Sequence, residues 1–536
     1  MKAEDKMGHD RGIGFETDDE ENEAQMVGET EEEDDESDYS NSSSFEHSDS
    51  RLSEAYGTSW PQSYRPSIDM YSTVRTPPNL SFLAHSLSSS IHKRVSSPDA
   101  SLHKPFISTT SARASPRSPS YPSFQRTQSR SSAPRLSYHE LEVSRQCSYA
   151  QAVLNGVNIL CGVGLLATPY AIKEGGWMGL LILTGFGAIS CYTGILLKWC
   201  LESTPGLQTY PDIGQAAFGV AGRLTISIIL YVELYTCCVE YITLMSDNLS
   251  ALFPNAHLNF AGVHLNPHQF FAVLATILVL PTVWLRNLSF LSYLSAGGVI
   301  ASLLVVICLL WVGVVDQVGF HPGGTLLDLA NLPVALGLYG FCYAGHAVFP
   351  NIYSSMKKPA DFPSVLIASF SICWLLYSGV AVAGYLMFGE SIKSQFTLNM
   401  PHRFLASKTA AWTTVVNPLT KYALTITPVA LSLEELVSSQ RLRSHFISVL
   451  IRTALVLSTL FVALKIPFFG FVMALLGSLL TMIVALIFPC ASYLSIMRGR
   501  VSRFQAAVCI LIIMVGITSA CIGSYSAIKR IADNMA

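Results

Sequence analysis

The sequence predicts an all-α integral membrane protein, with about eleven transmembrane helices after a polar amino-terminal region. Half of the 536 residues are hydrophobic and only 13% are charged, whereas soluble domains carry about a quarter charged residues. The apolar residues are also collected into long runs after about residue 146, each close to the ~20 residues that cross a bilayer. Composition and run length therefore agree on the fold class.

Composition and charge exclude several classes of protein. The net charge is −3, and the sequence lacks the basic surface that nucleic-acid binding needs. The twelve cysteines lie between Cys147 and Cys521 and form neither a CxxC pair nor a Cys/His cluster. We therefore expect free thiols inside a bundle, with no disulfide framework, no metal site and no cofactor. The first 50 residues contain no apolar core segment, which predicts no signal peptide.

Residues 1–146 are predicted to form a disordered cytosolic tail, and residues 147–536 the transmembrane domain. The tail has an acidic run at 31–36 and is rich in Ser, Pro and Arg from 86 to 135, a composition that buries too little apolar area to offset the entropy of ordering. An ordinary solvated tail is one interpretation of it. Kinases and the vesicle sorting machinery are possible partners, because the tail contains Ser97-Pro98, Ser115-Pro116, Ser118-Pro119, Tyr71 to Val74 and Tyr138 to Leu141.

Windows of about 20 mainly apolar residues place eleven spans in the second region. The connection between the ninth and tenth spans, around Lys465 to Pro467, is very short. The predicted spans lie near 150–171, 177–199, 224–250, 269–285, 291–315, 333–353, 363–388, 410–433, 445–464, 467–492 and 503–527.

Lys and Arg in the short connections predict the orientation, because cytosolic loops carry an excess of basic residues. A cytosolic amino terminus puts about ten of them inside and about five outside, and an odd number of spans then puts the carboxyl terminus on the opposite side. In an organelle that side is the lumen. The inside residues are Lys198, Arg223, Arg286, Lys357, Lys358, Arg441, Arg443, Arg498, Arg500 and Arg503; the outside ones are Lys173, Lys393, Arg403, Lys408 and Lys465.

The first and sixth predicted spans are interrupted by glycine and proline. Span 1 contains GVGLLATP at 162–169, and span 6 contains GFCYAGHAVFP at 340–350. A broken helix is tolerated in lipid when its freed backbone groups line a cavity. These are corresponding members of two sets of five spans, the pattern of an inverted-repeat transporter with its site at the repeat interface. Close packing of small residues is the alternative explanation.

Ionisable side chains within the predicted spans mark the same region. Glu233 and Glu240 lie seven residues apart and share a face of span 3, and Lys421 lies in span 8 close to Thr425. Charges at this depth face a partner or a wet cavity. Two roles stay open, a structural Glu–Lys ion pair for one carboxylate or a protonatable Glu that carries a coupling proton. His346 is either a proton site or a hydrogen-bonded core histidine.

Three motifs give the sequence a resemblance to the amino acid/auxin permease family. NILCGVGLLATPYAIKEGG at 158–176 resembles the opening of that family. YGFCYAGHAVFPNIYSSMKK at 339–358 is similar to span 6 of its plant and fungal vacuolar transporter branch, which is related to vesicular inhibitory amino-acid transporters. Lys421 followed by Thr427-Pro428 and Glu434-Glu435 resembles the family's span 8. The resemblance covers about residues 146–530.

The resemblance implies a LeuT-type fold of ten core helices plus one, and transport of neutral amino acids by a multi-pass protein. In the vacuolar branch, movement into the lumen is typically driven by exchange for luminal protons. Asn158 matches an asparagine that binds sodium in sodium-coupled relatives. A proton-coupled branch has a histidine five residues earlier, where this sequence has Val153.

Alternating access around a mid-membrane site is the function that these features predict. We expect the substrate carboxylate to meet backbone N–H groups at the first break, and its ammonium to face carbonyls at 339–342. The residues expected to bind substrate are Gly162, Val163, Gly164, Leu165, Tyr339, Gly340, Phe341 and Tyr235. Those expected to couple ions or gate the site are Asn158, Glu233, Glu240, His346, Lys421 and Thr425.

Two other classes of function stay open at this point. A nutrient sensor would bind an amino acid at the same site and signal through the long tail. A membrane enzyme would need a converging nucleophile and base, and the sequence contains no such constellation, so we expect none. The preferred amino acid, the direction of flux, proton or sodium coupling, and a vacuolar or plasma membrane location are left undecided by the sequence.

Overall fold

The long apolar runs of the sequence form helices that follow one another through short connections. The computed structural model describes residues 60–65, 67–68, 147–260, 263–285, 297–321, 323–436 and 445–536. Within these residues, nine segments are long and apolar enough to cross a membrane when the bent first helix pair counts as one. The shorter apolar helix Gly298–Val314 and the proline-containing helix Leu405–Leu436 complete eleven spans. The predicted all-helical, multi-span architecture is confirmed.

The spans are numbered here in chain order. Their bounds are Tyr149–Leu160 and Gly164–Gly175 (halves 1a and 1b), Gly179–Ser203 (2), Tyr210–Leu252 (3), Pro267–Trp284 (4), Gly298–Val314 (5), Leu332–Cys342 and Phe349–Ser355 (6a and 6b), Phe362–Phe388 (7), Leu405–Leu436 (8), His445–Lys465 (9), Phe469–Ile496 (10) and Arg503–Met535 (11). Between spans 3 and 4, strands β1 (Leu258–Phe260) and β2 (Val263–Leu265) pair antiparallel.

Short connections make successive spans run in opposite directions. We call the two ends of the bundle the Glu435 end, where span 1 begins and span 8 stops, and the Lys465 end, where span 9 stops. The predicted boundary between spans 9 and 10 is observed, with helices that end at Lys465 and resume at Phe469. Span 3 differs from its prediction, since it begins at Tyr210 and carries a non-helical Gly219 with φ 69°.

Polar residues define where four of the spans start. Ser148, Thr209, Asn266 and Ser502 each accept a hydrogen bond from the backbone N–H three residues later, and the side chain there bonds back. This reciprocal capping satisfies N–H groups that have no partner inside the helix. The sequence therefore encodes span starts by local chemistry as well as by hydropathy.

Glycines bring spans 6 and 10 into close contact. A Cβ at Gly477 would overlap the carbonyl oxygen of Gly337, so the two backbones touch where both residues lack a side chain. Small residues at helix crossings permit this approach in membrane proteins. Gly477 lies in a π-helical stretch of span 10, Leu476–Ile487. The contact fixes the position of span 6a, and therefore of the break that follows it.

Several predicted features fall on residues that the structure does not describe. The disordered tail was predicted over 1–146, of which only 60–65 and 67–68 are described; those residues pack against the bundle, with Tyr64 and Ile68 buried. The kinase-type and sorting-type motifs and three of the basic loop residues lie outside the described residues, namely Ser97, Ser115, Ser118, Tyr71, Tyr138, Arg286, Arg441 and Arg443.

Candidate functional site

The breaks in spans 1 and 6 lie against each other. Span 1 is interrupted between Leu160 and Gly164, where its halves bend by 52°. Span 6 is interrupted after Cys342, before the chain resumes helical turns at His346. A Cβ added to Gly164 would lie 3.3 Å from the Cα of Cys342, so the absence of a side chain lets the breaks adjoin. The arrangement agrees with the LeuT-type order of two sets of five spans, each with a broken first member.

Two side chains from neighbouring spans satisfy the carbonyls freed by the breaks. The Tyr377 hydroxyl on span 7 bonds the Cys342 carbonyl at 2.8 Å and also the Leu160 carbonyl. The Ser302 hydroxyl on span 5 donates to the Cys161 carbonyl at 3.1 Å. Buried backbone groups need such partners in lipid. Tyr377 therefore ties both breaks together through one hydroxyl group.

Replacing Tyr377 by Phe is expected to lower both thermal stability and transport. The change leaves the Cys342 carbonyl without this donor, at a cost of about 1–3 kcal/mol for an unsatisfied buried group, while the Leu160 carbonyl keeps its bond from the Gly162 N–H at 2.9 Å. The matched control is Tyr385→Phe on the same span, which removes one hydrogen bond to Glu390 near the Lys465 end. Thermal unfolding of the two purified variants compares them. Equal melting temperatures would contradict the bridging role of Tyr377.

Backbone N–H groups are left open at the start of span 1b. Val163 precedes the first helical residue, Gly164, and no side chain of the described residues caps this helix start. The N–H groups of Leu165 and Leu166 bond the carbonyls of Gly162 and Val163 at 3.3 and 3.1 Å, whereas in the described part of the chain those of Val163 and Gly164 have no backbone acceptor. Open N–H groups and the positive end of the helix dipole favour an anion.

A cavity of about 100 Å³ lies where the two breaks meet spans 3 and 8. Of the residues expected from the sequence, those that line it are Asn158, Gly162, Val163, Gly164, Glu233, Glu240, Phe341 and Lys421. The lining residues that the sequence did not single out are Ile159, Leu160, Leu234, Cys237, Tyr241, Ala344, Gly345, Ala347 and Val348. Cys237 could have been found by helical spacing, since it lies one turn after Glu233.

The cavity is lined by two carboxylates and one ammonium group, and two of its acceptors have no partner among the described residues. The Lys421 ammonium lies 3.5 Å from the Asn158 carbonyl. Among the ion pairs of the described residues, none joins Lys421 to Glu233 or Glu240, so the structural pair considered from the sequence is not formed here. Asn158 Oδ1 and Glu240 Oε1 are buried without a hydrogen bond from the described residues. Unpaired buried acceptors are costly. Glu240 is positioned to take a proton or a cationic group, and the amide oxygen of Asn158 to accept a hydrogen bond from a cationic group.

A glycine on span 5 makes room for this polar cluster. A Cβ at Gly298 would lie 2.5 Å from Asn158 Oδ1 and 3.1 Å from the Lys421 ammonium. Thr425, expected from the sequence as a coupling residue, does not line the cavity. Its hydroxyl donates to the Lys421 carbonyl at 3.0 Å, one turn back along the same helix. Thr425 therefore contacts the backbone that carries Lys421 and not the cavity itself.

Three residues expected at the site on spans 3 and 6 point away from the cavity. Tyr339 packs against Gly179 of span 2, and Gly340 against Met482 of span 10. The Tyr235 hydroxyl donates to Ser458 of span 9 at 2.9 Å. Neighbouring residues of a helix point about 100° apart, so Phe341 can face the cavity while the two residues before it cannot.

His346 and Leu165 also lie outside the cavity lining. The His346 ring is fully buried, and its Nε2 lies 3.0 Å from both the Ser190 carbonyl and the Thr193 hydroxyl of span 2. This contact matches the hydrogen-bonded core histidine that the sequence left open. Leu165 is buried and lines a smaller neighbouring cavity with residues of spans 5 and 8.

A polar network closes the Lys465 end of the bundle beyond the cavity. On span 3, Asn248 donates to Gln395 at 2.6 Å and accepts from Thr397 at 2.8 Å. Gln395 in turn donates to Asp247 at 2.8 Å, and His268 of span 4 lies 3.2 Å from that carboxylate. The network binds spans 3 and 4 to the connection between spans 7 and 8. Opening this end would require these bonds to break together.

Comparison with known proteins adds an independent line of evidence. Residues 145–529 match the family model described as transmembrane amino acid transporter protein. The chain is 54% identical to amino acid transporter AVT1C of Arabidopsis thaliana, over 95% of this chain and 98% of that one. It is 55% identical to Arabidopsis AVT1D, over 93% and 92%. It is also 25% identical to a vesicular inhibitory amino acid transporter of Xenopus laevis, over 68% and 74%.

Proposed function

Since this chain belongs to the transmembrane amino acid transporter family, we propose that it moves neutral amino acids by alternating access in exchange for protons. Membership of this family means that the protein transports amino acids. It is therefore a carrier and not an enzyme. One observation supports the proposed substrate and proton exchange. Open N–H groups and acceptors without a partner among the described residues meet in a single cavity, where two broken helices cross.

The cavity offers complementary groups for the two charged ends of an amino acid. The substrate carboxylate binds the open N–H groups of Val163 and Gly164 at the positive end of span 1b. The carbonyls of Gly340 and Phe341 are already hydrogen-bonded to the N–H groups of the residues three further on. The substrate ammonium therefore binds Asn158 Oδ1 and Glu240, whose buried oxygens have no hydrogen-bond donor among the described residues.

Exchange for protons follows when one carboxylate accepts two alternative partners. Glu240 takes either a proton or the substrate ammonium, because its buried Oε1 has no partner among the described residues and cannot hold both. Protonation then releases substrate, and deprotonation readies the site for the next one. Occupancy shifts the balance between the two orientations only through differential affinity for them.

The proposed location is the vacuolar membrane, with the Glu435 end in the cytosol. Basic connections favour this orientation, and the acidic lumen supplies the protons that leave as amino acids enter. A plasma membrane location is the alternative. The network around Asp247 then closes the luminal side, and amino acid enters from the cytosol.

Uptake into proteoliposomes with an imposed pH gradient tests the proposal. The panel contains neutral, acidic and basic amino acids, with a sodium gradient and a protonophore as controls. We expect neutral amino acids to accumulate in the acidic interior and the protonophore to abolish accumulation. Binding of amino acids without flux under either gradient would favour a nutrient sensor that signals through the tail.

A further inference from the structure

A short segment of the amino-terminal region packs into the Glu435 end of the bundle. This plug segment consists of residues 60–65 and 67–68. Tyr64 and Ile68 are each 1% exposed and Ser67 is 2% exposed, values that are typical of a protein core. Because they belong to a region of polar composition, burial this complete indicates a specific docking site.

Glu435, the penultimate residue of span 8, binds the backbone of the plug segment. Its carboxylate accepts from the N–H of Gln62 at 2.9 Å, from the N–H of Ser63 at 3.2 Å and from the Ser63 hydroxyl at 3.0 Å. Hydrogen bonds to an ionised acceptor are among the stronger ones in proteins. The adjacent Glu434 instead bonds Arg452 of span 9 at 2.8 Å, so neighbouring acids hold different partners.

Arg223 and Ser432 hold the other end of the plug segment. Arg223 Nε donates to the Trp60 carbonyl at 3.2 Å while its guanidinium pairs with Asp212 at 2.7 Å. The Trp60 indole donates to the Ser432 carbonyl at 3.2 Å. Spans 3 and 8 are therefore both bound by the same few residues. A movement that separates these two spans at the Glu435 end would have to break those contacts.

Aromatic side chains of the plug segment connect it with span 3 and with the lining of the cavity. Trp60 and Tyr64 flank Tyr231 of span 3, with ring centroids 5.8 and 6.2 Å away. The Tyr64 hydroxyl lies 3.4 Å from the carbonyl of Ala347, and Ala347 itself lines the cavity. Tyr64 thus fills the space between the span 6 break and span 3 on the side that faces the Glu435 end.

We propose that the plug segment is an autoinhibitory element that closes the Glu435 end of the cavity and must leave before substrate enters. The regulatory part rests on the proposed function, because it concerns access to the same cavity. Covalent attachment keeps the segment at a high effective concentration, so modest contacts suffice to hold it. A charge placed on Ser63 would oppose the Glu435 carboxylate, which makes Ser63 a suitable position for control by phosphorylation.

The test measures access to Cys237, a partly exposed cysteine that lines the cavity. Full-length protein is treated with N-ethylmaleimide, and labelling of Cys237 is followed by mass spectrometry. Tyr64→Ala removes the contacts with Tyr231 and Ala347, and Glu435→Ala removes the acceptor for Gln62 and Ser63. Gln62→Ala is the control, because Gln62 binds Glu435 through its backbone N–H, which alanine keeps. We expect labelling and uptake to rise about fivefold in the first two, the factor for about 1 kcal/mol, and to stay unchanged in the control.

The two readouts separate failure of the plug from failure of the proposed function. Equal labelling of Cys237 in wild type and both variants would contradict closure of the cavity by the plug segment, whatever the uptake measurements show. Faster labelling with unchanged uptake, in protein that transports, overturns autoinhibition. Faster labelling in protein that transports no amino acid would support closure of the cavity by the plug segment and would contradict the proposed transport function.

Discussion

Gly162→Leu is expected to reduce amino acid uptake about 100-fold or more, a factor that corresponds to about 2.7 kcal/mol of lost binding. Gly162 lies in the break of span 1 and lines the cavity next to the open N–H groups of Val163 and Gly164. A leucine side chain there would cover those groups and exclude the substrate carboxylate. A Cβ at this position meets no atom of the described residues within 4 Å, so the new side chain begins in open space next to the site.

Gly185→Leu is the matched control for this substitution. A Cβ at Gly185 also meets no atom within 4 Å in the part of the chain that the structure describes, but Gly185 lies on the exposed surface of span 2. We expect this variant to transport like wild type, and both variants to unfold at the wild-type temperature. Wild-type uptake by Gly162→Leu would contradict the assignment of the carboxylate site. A lowered melting temperature in that variant alone would show that the loss is structural.

The fold was predictable from the sequence because lipid imposes few solutions on the backbone. Every polar backbone group in the hydrocarbon must be paired internally, so long apolar runs become helices. The same rule made the break motifs at 162–169 and 340–350 informative. Glycine and proline interrupt a helix in lipid only where other groups form hydrogen bonds to the freed backbone groups. Those groups, Tyr377 and Ser302, carry no signal of their own, because a tyrosine or serine in a span has many other uses.

The rotation of each span was harder to predict than its position. Tyr339, Gly340 and Phe341 are adjacent in the sequence, yet only Phe341 faces the cavity. Packing of Gly337 against Gly477 determines which side of span 6a faces inward, and that contact joins residues far apart in the chain. Tyr235 lies on the face of span 3 that contacts Ser458 of span 9, again a contact between residues far apart in the chain.

The plug segment contains a pattern of large apolar residues that the average composition of the tail conceals. Trp60, Tyr64 and Ile68 are spaced four apart, a spacing typical of one face of a helix, although Trp60 itself precedes the helical residues of the segment. The surrounding Ser, Pro and acidic residues dominate any average over the tail and predict disorder. A short apolar face can dock only where a complementary surface exists. Tyr231 and the end of span 8 provide that surface, and their proximity depends on the tertiary fold.

Glu240→Gln is expected to abolish accumulation driven by a pH gradient while leaving slow equilibration of amino acid across the membrane. Each pH unit supplies about 1.4 kcal/mol per proton, enough for about tenfold accumulation, and an uncharged glutamine cannot take up that proton. The side chain keeps an oxygen for the substrate ammonium, so exchange of labelled for unlabelled amino acid persists with a raised KM. Glu233→Gln, in the same cavity seven residues earlier, tests whether any cavity acid suffices. Accumulation that survives in Glu240→Gln but not in Glu233→Gln would move the proton site to Glu233, and survival in both would exclude this pair as the coupling groups.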